Sequence, residues 1–362
     1  MKNKKKPVVI MLCTAARGGM KTVVESYERD GLFAKWNVRL IYTHEEGSVV
    51  KRLWMFTKAI IEFIYCVVFL NVKMVHVHSA MRGSFWRKNI FSSIARLFYI
   101  PVLLHLHGSE MEKFYNEQSI TVKKIIAKIF SKANVVIVLS ESWKEFILKI
   151  SPKTNVEIIH NYVVLPEKGV LNYQKPDKVR ILFLGLIGHR KGVFDLINAM
   201  HIVIKQFDNF ELFIGGNGDI ESAQTLVKKL NLERHVQFLG WVNGSTKIEQ
   251  LQSCDIYTLP SHNEGLPMSI LEAMSYAKPI ISTYVGGIPE LVREKKDGLL
   301  FEAGNINKLA EAIVELCEAE NKRLEYGANG RNRVESGFSE KVIIPQIDVI
   351  YKGLITEQGE QE

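Results

Sequence analysis

The feature that most constrains this chain is a repeated alternation. Short apolar runs end in polar or glycine-rich text, and stretches with helical spacing separate them. In the first half the runs are VVIMLC (8–13), VRLIYT (38–43), KMVHVHS (73–79), PVLLHLHG (101–108), NVVIVLS (134–140) and VEIIHN (156–161). Helical patterns fall between them at 20–35, 84–99, 118–132 and 141–150. PEKGVLNYQKPDK (166–178) is polar, carries two prolines and lacks periodicity, so it reads as a linker. A second series follows: RILFLG (180–185), FELFIGG (210–216), HVQFLG (235–240), IYTLPS (256–261), KPIIST (278–283) and DGLLFE (297–302). Strands alternating with helices predict doubly wound, parallel α/β domains. Ligands of such sheets gather at the carboxyl ends of the strands. A last helix is predicted at 339–354, with Val342, Ile343, Ile347, Ile350, Tyr351 and Leu354 at helical spacing, before a polar tail expected to fray.

The 362 residues suit two domains, each large enough to bury a core. A hydrophobic share of 47% and a charged share of 24% are ordinary for a soluble globular protein. Cys13, Cys66, Cys254 and Cys317 form no C-x-x-C pair, which argues against a disulfide framework or zinc ribbon and fits a reducing, cytoplasmic compartment. MKNKKK is followed by a short strand pattern, not a signal core. Charge is unevenly spread: residues 1–165 hold 25 Lys+Arg and 12 Asp+Glu, a net +13, while the remainder is 47 − 25 = 22 against 39 − 12 = 27, a net −5. A half this basic expects an anionic partner such as acidic lipid or a pyrophosphate-linked acceptor. A solvated basic surface stays open as the alternative. Nucleic acid is disfavoured, because no basic-aromatic ladder is present. LWMFTKAIIEFIYCVVFL (53–70) is apolar enough to raise a membrane question. Lys58 and Glu62 in its middle argue against a span. A half-buried helix is the plainer reading, and a helix touching the membrane face is the functional one.

HNEGLPMSILEAMSYAKPIIST (262–283) carries the chemistry. Pro267 suits a first helical position. The free N–H groups near Met268 to Ile270, with the helix dipole, make an anion site natural for a pyrophosphate. A carboxylate beside such a site is repelled unless it serves another group, and sugar hydroxyls are such groups. Glu264 at the turn and Glu272 inside the helix therefore read as the two ends of a sugar nucleotide.

With its neighbours this stretch resembles retaining family 4 glycosyltransferases. SHNEGLPMSILEAMSYAKPIISTYVGGIPELV with DGLLF looks like their C-terminal signature, with Glu264 and Glu272 as its two glutamates. FLGLIGHRKGVFDLINA (183–199), LFIGGNGD (212–219), VQFLGWV (236–242) and VIVLSESWKEF (136–146) follow the family in order. The resemblance implies a GT-B fold: two Rossmann-like doubly wound domains facing a central cleft. The expected domains are 1–168 on the acceptor side, 169–338 for the nucleotide sugar, and 339–362 crossing back to the first.

The implied roles follow residue by residue. Glu264 supports charge at the anomeric carbon, Glu272 takes the ribose, and Gly265, Leu266, Pro267, Met268 and Ser269 present backbone to the diphosphate. Gly216 and Asn217 join the donor site. Gly18 and Gly19 approach the donor phosphate, where a missing side chain permits close contact. Lys191 is expected on the diphosphate. The arginine usual directly after Gly185 is replaced by Leu186, and Arg190 is expected to supply that charge. His107 matches a strand-end histidine beside the sugar. His78, Arg82, Arg87 and Lys88 are candidates for the acceptor. HVH and HLH raise the idea of a metal, but no third ligand has suitable spacing, so no metal is expected. The implied reaction is transfer of a sugar from a nucleotide-diphosphate sugar, a substrate and not a cofactor, to a hydroxyl of a saccharide, lipid-linked or free, in cell-surface polysaccharide assembly. Contact with an anionic membrane would suit it. A nucleotide-sugar epimerase, a phosphorylase and a non-catalytic binder of nucleotide sugar or lipid are the alternatives.

Overall fold

The computed structural model describes residues 6–16, 18–167 and 177–359. Most of the polar stretch 166–178, and Arg17 of the first glycine loop, lie outside them. The twelve apolar runs are all strands. β1 (Pro7–Cys13), β2 (Val38–Tyr42), β3 (Asn71–Ser79), β4 (Val102–Leu106), β5 (Val135–Val138) and β6 (Val156–Ile158) form one parallel sheet in the order β2-β1-β3-β4-β5-β6. β7 (Val179–Leu184), β8 (Phe210–Gly215), β9 (Val236–Gly240), β10 (Ile256–Leu259), β11 (Ile280–Thr283) and β12 (Gly298–Phe301) form a second, β12-β11-β10-β7-β8-β9. Helices cover both faces of a doubly wound sheet, so the inner strands are continuous apolar runs. β1 is buried from Val8 to Cys13, and β3 from Met74 to Ser79.

The strand order reverses between β1 and β3 in the first sheet and between β7 and β10 in the second. A crevice opens at the carboxyl ends of the two strands flanking such a reversal. The loops after β1, β3, β7 and β10 are therefore the places for ligands, and most of the candidate residues lie in them or on the helices that follow; His78 is on β3, His107 follows β4, and Gly216 and Asn217 follow β8.

The chain divides into a unit of residues 1–161 with 340–362, and a unit of residues 162–339. Residues 162–167 belong to the second because they pack on it. Val163 N donates to Phe338 O at 3.1 Å, and Arg331 Nη2 donates to Pro166 O at 2.7 Å. The helix Glu340–Gly359 is anchored in the first unit. Its Tyr351 hydroxyl lies 2.7 Å from His76 Nδ1, and its Asp348 accepts from Trp36 Nε1 at 2.9 Å and pairs with Lys35 at 2.8 Å.

Two sequence expectations shift. The helix expected at 20–35 is two, Gly19–Arg29 and Leu32–Trp36, because Gly31 takes a left-handed conformation between them. The apolar stretch at 53–70 is part of a half-buried helix, Val49–Phe69, capped by the Ser48 hydroxyl accepting from Lys51 N at 3.3 Å. Ala59, Phe63, Cys66 and Val67 face inward, and Phe63 meets Phe91 edge-on at 5.3 Å. Among the described residues no helix is long and apolar enough to cross a membrane. All four cysteines are free and buried.

Phe63 is fully buried, whereas Trp54 on the same helix is 60% exposed. Phe63→Ala is expected to cost about 3–5 kcal/mol of stability, and Trp54→Ala less than about 0.5 kcal/mol. Urea unfolding of the two variants checks which face carries the packing.

Candidate active site

In the second unit the loops after β7 and β10 meet. After β7 the chain makes one turn of 3-10 helix, His189–Lys191, ended by left-handed Gly192. A Cβ on Gly192 would fall 1.8 Å from Pro260 O, so only glycine lets the two loops touch. The loops are then joined in the main chain, with His262 N donating to Arg190 O at 2.9 Å. Lys191 Nζ reaches across and donates to Glu264 Oε1 at 2.5 Å, and Ser261 Oγ donates to the same oxygen at 2.7 Å. Arg190 Nη1 lies 3.5 Å from Asn263 O. His262 Nε2 and Asp195 Oδ2 are 2.6 Å apart.

Glu264 is not an exposed turn tip. It is 6% exposed, and a buried carboxylate needs such partners. Lys191, expected on a diphosphate, places its ammonium on this glutamate. Leu186 is 45% exposed beside the same turn, so no apolar packing requires it there.

The following helix, Met268–Ser275, starts one residue later than expected, with Pro267 as its cap residue. No side chain caps this end, so its first N–H groups stay available. Glu272 is in the second turn, and Lys247 Nζ donates to its Oε1 at 2.6 Å. Gly216 has φ 152°, and a Cβ there would fall 1.7 Å from Gly185 O. Asn217 O accepts from Ile187 N at 2.7 Å, which ties the ends of β7 and β8 together. Behind the Glu264 loop, Gly287 N donates to Gly265 O at 2.7 Å. Gly286 has φ 55°, and a Cβ there would fall 1.9 Å from Glu264 O.

The first unit places Gly18, Gly19, His78, Arg82, Arg87, Lys88 and His107 around the β1/β3 reversal. Gly18, at φ 143°, begins the helix Gly19–Arg29, and nothing lies within 4 Å of a Cβ on either glycine. His78 on β3 pairs in register with His105 on β4, which sets four imidazoles in a block. His76 Nε2 and His105 Nδ1 are 3.3 Å apart, and His78 Nδ1 and His107 Nε2 are 2.8 Å apart. Burial holds all four below their usual pKa, His76 and His107 near about 3, so they are neutral at pH 7. This register supplies the third nitrogen that spacing did not: ligand atoms of His76, His78 and His105 lie within 4.8 Å of one another. His76 uses both nitrogens, on Tyr351 and His105, and His78 uses Nδ1 on His107, while Nε2 of His78 and of His105 is buried without a partner.

Arg82 and Lys88 part company. Arg82, at the unusual φ 57°, sends its exposed guanidinium to Glu117 at 3.6 Å. Lys88 is 2% exposed, and burial pulls its pKa down to about 7.

Comparison with known proteins decides the family. The model of the glycosyl transferases group 1 matches residues 172–333. An uncharacterized glycosyltransferase of Methanocaldococcus jannaschii is 31% identical over 275 residues, 76% of this chain and 74% of that one. The chain belongs to the glycosyl transferases group 1. The amylovoran biosynthesis glycosyltransferase of Erwinia amylovora is 26% identical over 241 residues, 64% of this chain and 59% of that one. The structure of Anabaena HepE with UDP and glucose superposes with a TM-score of 0.74 at 16% identity, covering 96% of this chain and 99% of that one. The architecture is that of GT-B enzymes.

Within this glycosyltransferase, three site residues escaped sequence reasoning. Ser261 and Lys247 hold the two glutamates, and Gly286 supports the main chain at Glu264. Lys247 lies 25 positions from its partner, so no local spacing announces it. Gly286 stood inside the quoted YVGG run, where a glycine pair before a short helix is the available signal.

Gly286→Ala forces the Glu264–Gly265 segment to move. It is expected to lower affinity for the nucleotide donor at least about tenfold, the 1.4 kcal/mol scale of one displaced contact. Calorimetric titration checks this, with circular dichroism showing that the fold is retained.

Proposed function

We propose that this glycosyltransferase moves a sugar from a nucleotide-diphosphate sugar to a hydroxyl of a saccharide acceptor, retaining anomeric configuration in the manner of family 4. The observation that carries this reading is the charge arrangement around the β7/β10 reversal. Glu264 and Glu272 bracket an uncapped helix N-terminus, and each is held by a lysine. An incoming diphosphate would take the helix N–H groups and compete for Lys191, with Arg190 beside it. Glu264 would then face the sugar, and Glu272 the ribose.

The proposed step breaks the bond between the anomeric carbon and the phosphate oxygen. The acceptor oxygen bonds to that carbon on the same face, and its proton passes to the departing phosphate oxygen. Glu264 stabilises the oxocarbenium-like charge. Lys191, Arg190 and the helix N-terminus stabilise the leaving diphosphate, so no metal is needed in this scheme. His107 is proposed at the sugar. Its neutral ring can donate a hydrogen bond without repelling positive charge at carbon.

For the first unit we propose a lipid-linked acceptor in cell-surface polysaccharide assembly, worked at an anionic membrane face. The relative named for amylovoran biosynthesis supports the pathway class. The outer face of Val49–Phe69 supports the membrane: Val49, Val50, Leu53, Trp54, Ile61 and Phe69 are exposed, with Lys51 and Arg52 at one end of the helix. An epimerase would need no acceptor and leaves this face without a use.

A panel of UDP, GDP and ADP, with their common sugars, tests the donor site by thermal shift. One base is expected to stabilise the protein, and Glu272→Ala to abolish the shift. Glu264→Gln is expected to keep nucleotide binding and lose at least about 100-fold in kcat, the scale of one transition-state electrostatic contact, with a chelator leaving turnover unchanged. No shift with any nucleotide would overturn the reading. For the membrane, Trp54→Ser with Leu53→Ser is expected to lower binding to phosphatidylglycerol vesicles at low salt, in flotation. Equal flotation of wild type and variant would overturn that part.

A further inference from the structure

Lys88 is a buried cation, 2% exposed. It sits on the helix Gly83–Leu97, directly after the β1/β3 reversal, and its ammonium Nζ has no hydrogen-bond partner. The adjacent Arg87 also has a buried Nε without a partner. Neither residue makes an ion pair with a carboxylate among the described residues, and nor does Arg52. Glu45 is taken by Lys51 at 2.8 Å, and Glu46, the acid nearest in the chain to Arg52, acts electrostatically on His44.

These cations are neighbours. Arg87 and Lys88 repel each other electrostatically, Arg52 repels Arg87, and all three act on His44 in the loop after β2. Lys88 likewise acts on His78 and His107 at the ends of β3 and β4. Three cations thus converge where the sheet topology opens a crevice; Glu46 acts on His44 beside them, but Lys88 Nζ and Arg87 Nε stay buried without a bonded partner. Buried charges are ordinarily paired or neutralised. A buried amine left unpaired in the ligand-free protein needs a partner that comes from outside.

We propose that Lys88, Arg87 and Arg52 form a subsite for a phosphate or pyrophosphate group of the acceptor. This rests on the reading that the first unit holds the acceptor. It narrows the acceptor class to phosphorylated molecules: a polyprenyl diphosphate-linked saccharide or a soluble sugar phosphate. Two guanidinium groups and an ammonium match the several oxygens of such a group better than a single carboxylate. Arg82 stays outside the subsite, since it is exposed and turned toward Glu117.

The test uses the full chain with its donor site saturated by the nucleotide found in the panel. Inorganic pyrophosphate is then titrated, with thermal shift and calorimetry as readouts. Wild type is expected to bind it. Lys88→Met removes the buried charge but keeps the packing, so it should fold, and is expected to weaken binding at least tenfold. Arg52→Gln, on an exposed position, is expected to weaken it several-fold and guards against misfolding of the first variant. Both should keep the nucleotide shift. No binding by wild type at 10 mM pyrophosphate, or equal binding by all three proteins, overturns the subsite. Vesicles with polyprenyl diphosphate, set against phosphatidylglycerol vesicles of equal charge, separate the sources. A Lys88-dependent preference for the former supports the lipid-linked acceptor, and pyrophosphate binding without that preference supports the soluble one. If no nucleotide binds, the donor reading fails, while Lys88-dependent pyrophosphate binding still stands.

Discussion

A parallel strand covered by helices on both faces has nowhere to show a polar side chain except at its ends. Each unit of this chain obeys that constraint. β1 is apolar along its length, β7 and β10 nearly so, and β3 turns polar toward its carboxyl end with buried His76, His78 and Ser79. Where neighbouring strands leave in opposite directions, their end loops separate and make room. The β7/β10 reversal therefore brings Lys191 to Glu264 across 73 positions of sequence. The β1/β3 reversal likewise sets the glycine loop at Gly18 near the start of the Gly83–Leu97 helix.

Electrostatics in the two places runs in opposite directions. In the second unit every acid of the candidate site has a base: Glu264 with Lys191, Glu272 with Lys247, Asp195 with His262. Such a site is stable without ligand, and an arriving anion exchanges one set of contacts for another. In the first unit the cations outnumber the acids. Lys88 Nζ has no hydrogen-bond partner, and burial, with Arg87 beside it, lowers its pKa to about 7. The free protein bears that strain, and a ligand phosphate would relieve it. Functional sites commonly hold such unfavourable groups at some expense of stability.

Much of this was legible in the sequence because the decisive signals are local. Apolar runs mark strands wherever both faces are buried, and the motif from His262 to Thr283 lies within one loop, helix and strand. The helix at 20–35 was misjudged because one glycine breaks an otherwise continuous pattern. Glu264 was placed at the turn by its sequence neighbours, which say nothing of its burial. Its burial comes from Lys191, Ser261 and Gly286, brought together only by tertiary packing. Lys88 shows the same limit from the other side. Its spacing on the Gly83–Leu97 helix between Phe85 and Phe91, both buried, placed it on the inner face, yet a lysine in a basic segment reads first as a solvated charge.

The histidine block comes from the register of β3 and β4, which sequence spacing does not show. Three imidazoles with nitrogens inside 4.8 Å meet a distance criterion for a divalent ion. The hydrogen bonds from Tyr351 to His76 and on to His105 orient two of the rings, and Nε2 of His78 and of His105 stays without a partner. The histidines are held neutral by burial, and His78 and His107 are within electrostatic reach of Lys88. They are dry enough to leave its charge unscreened and contribute no positive charge of their own at pH 7.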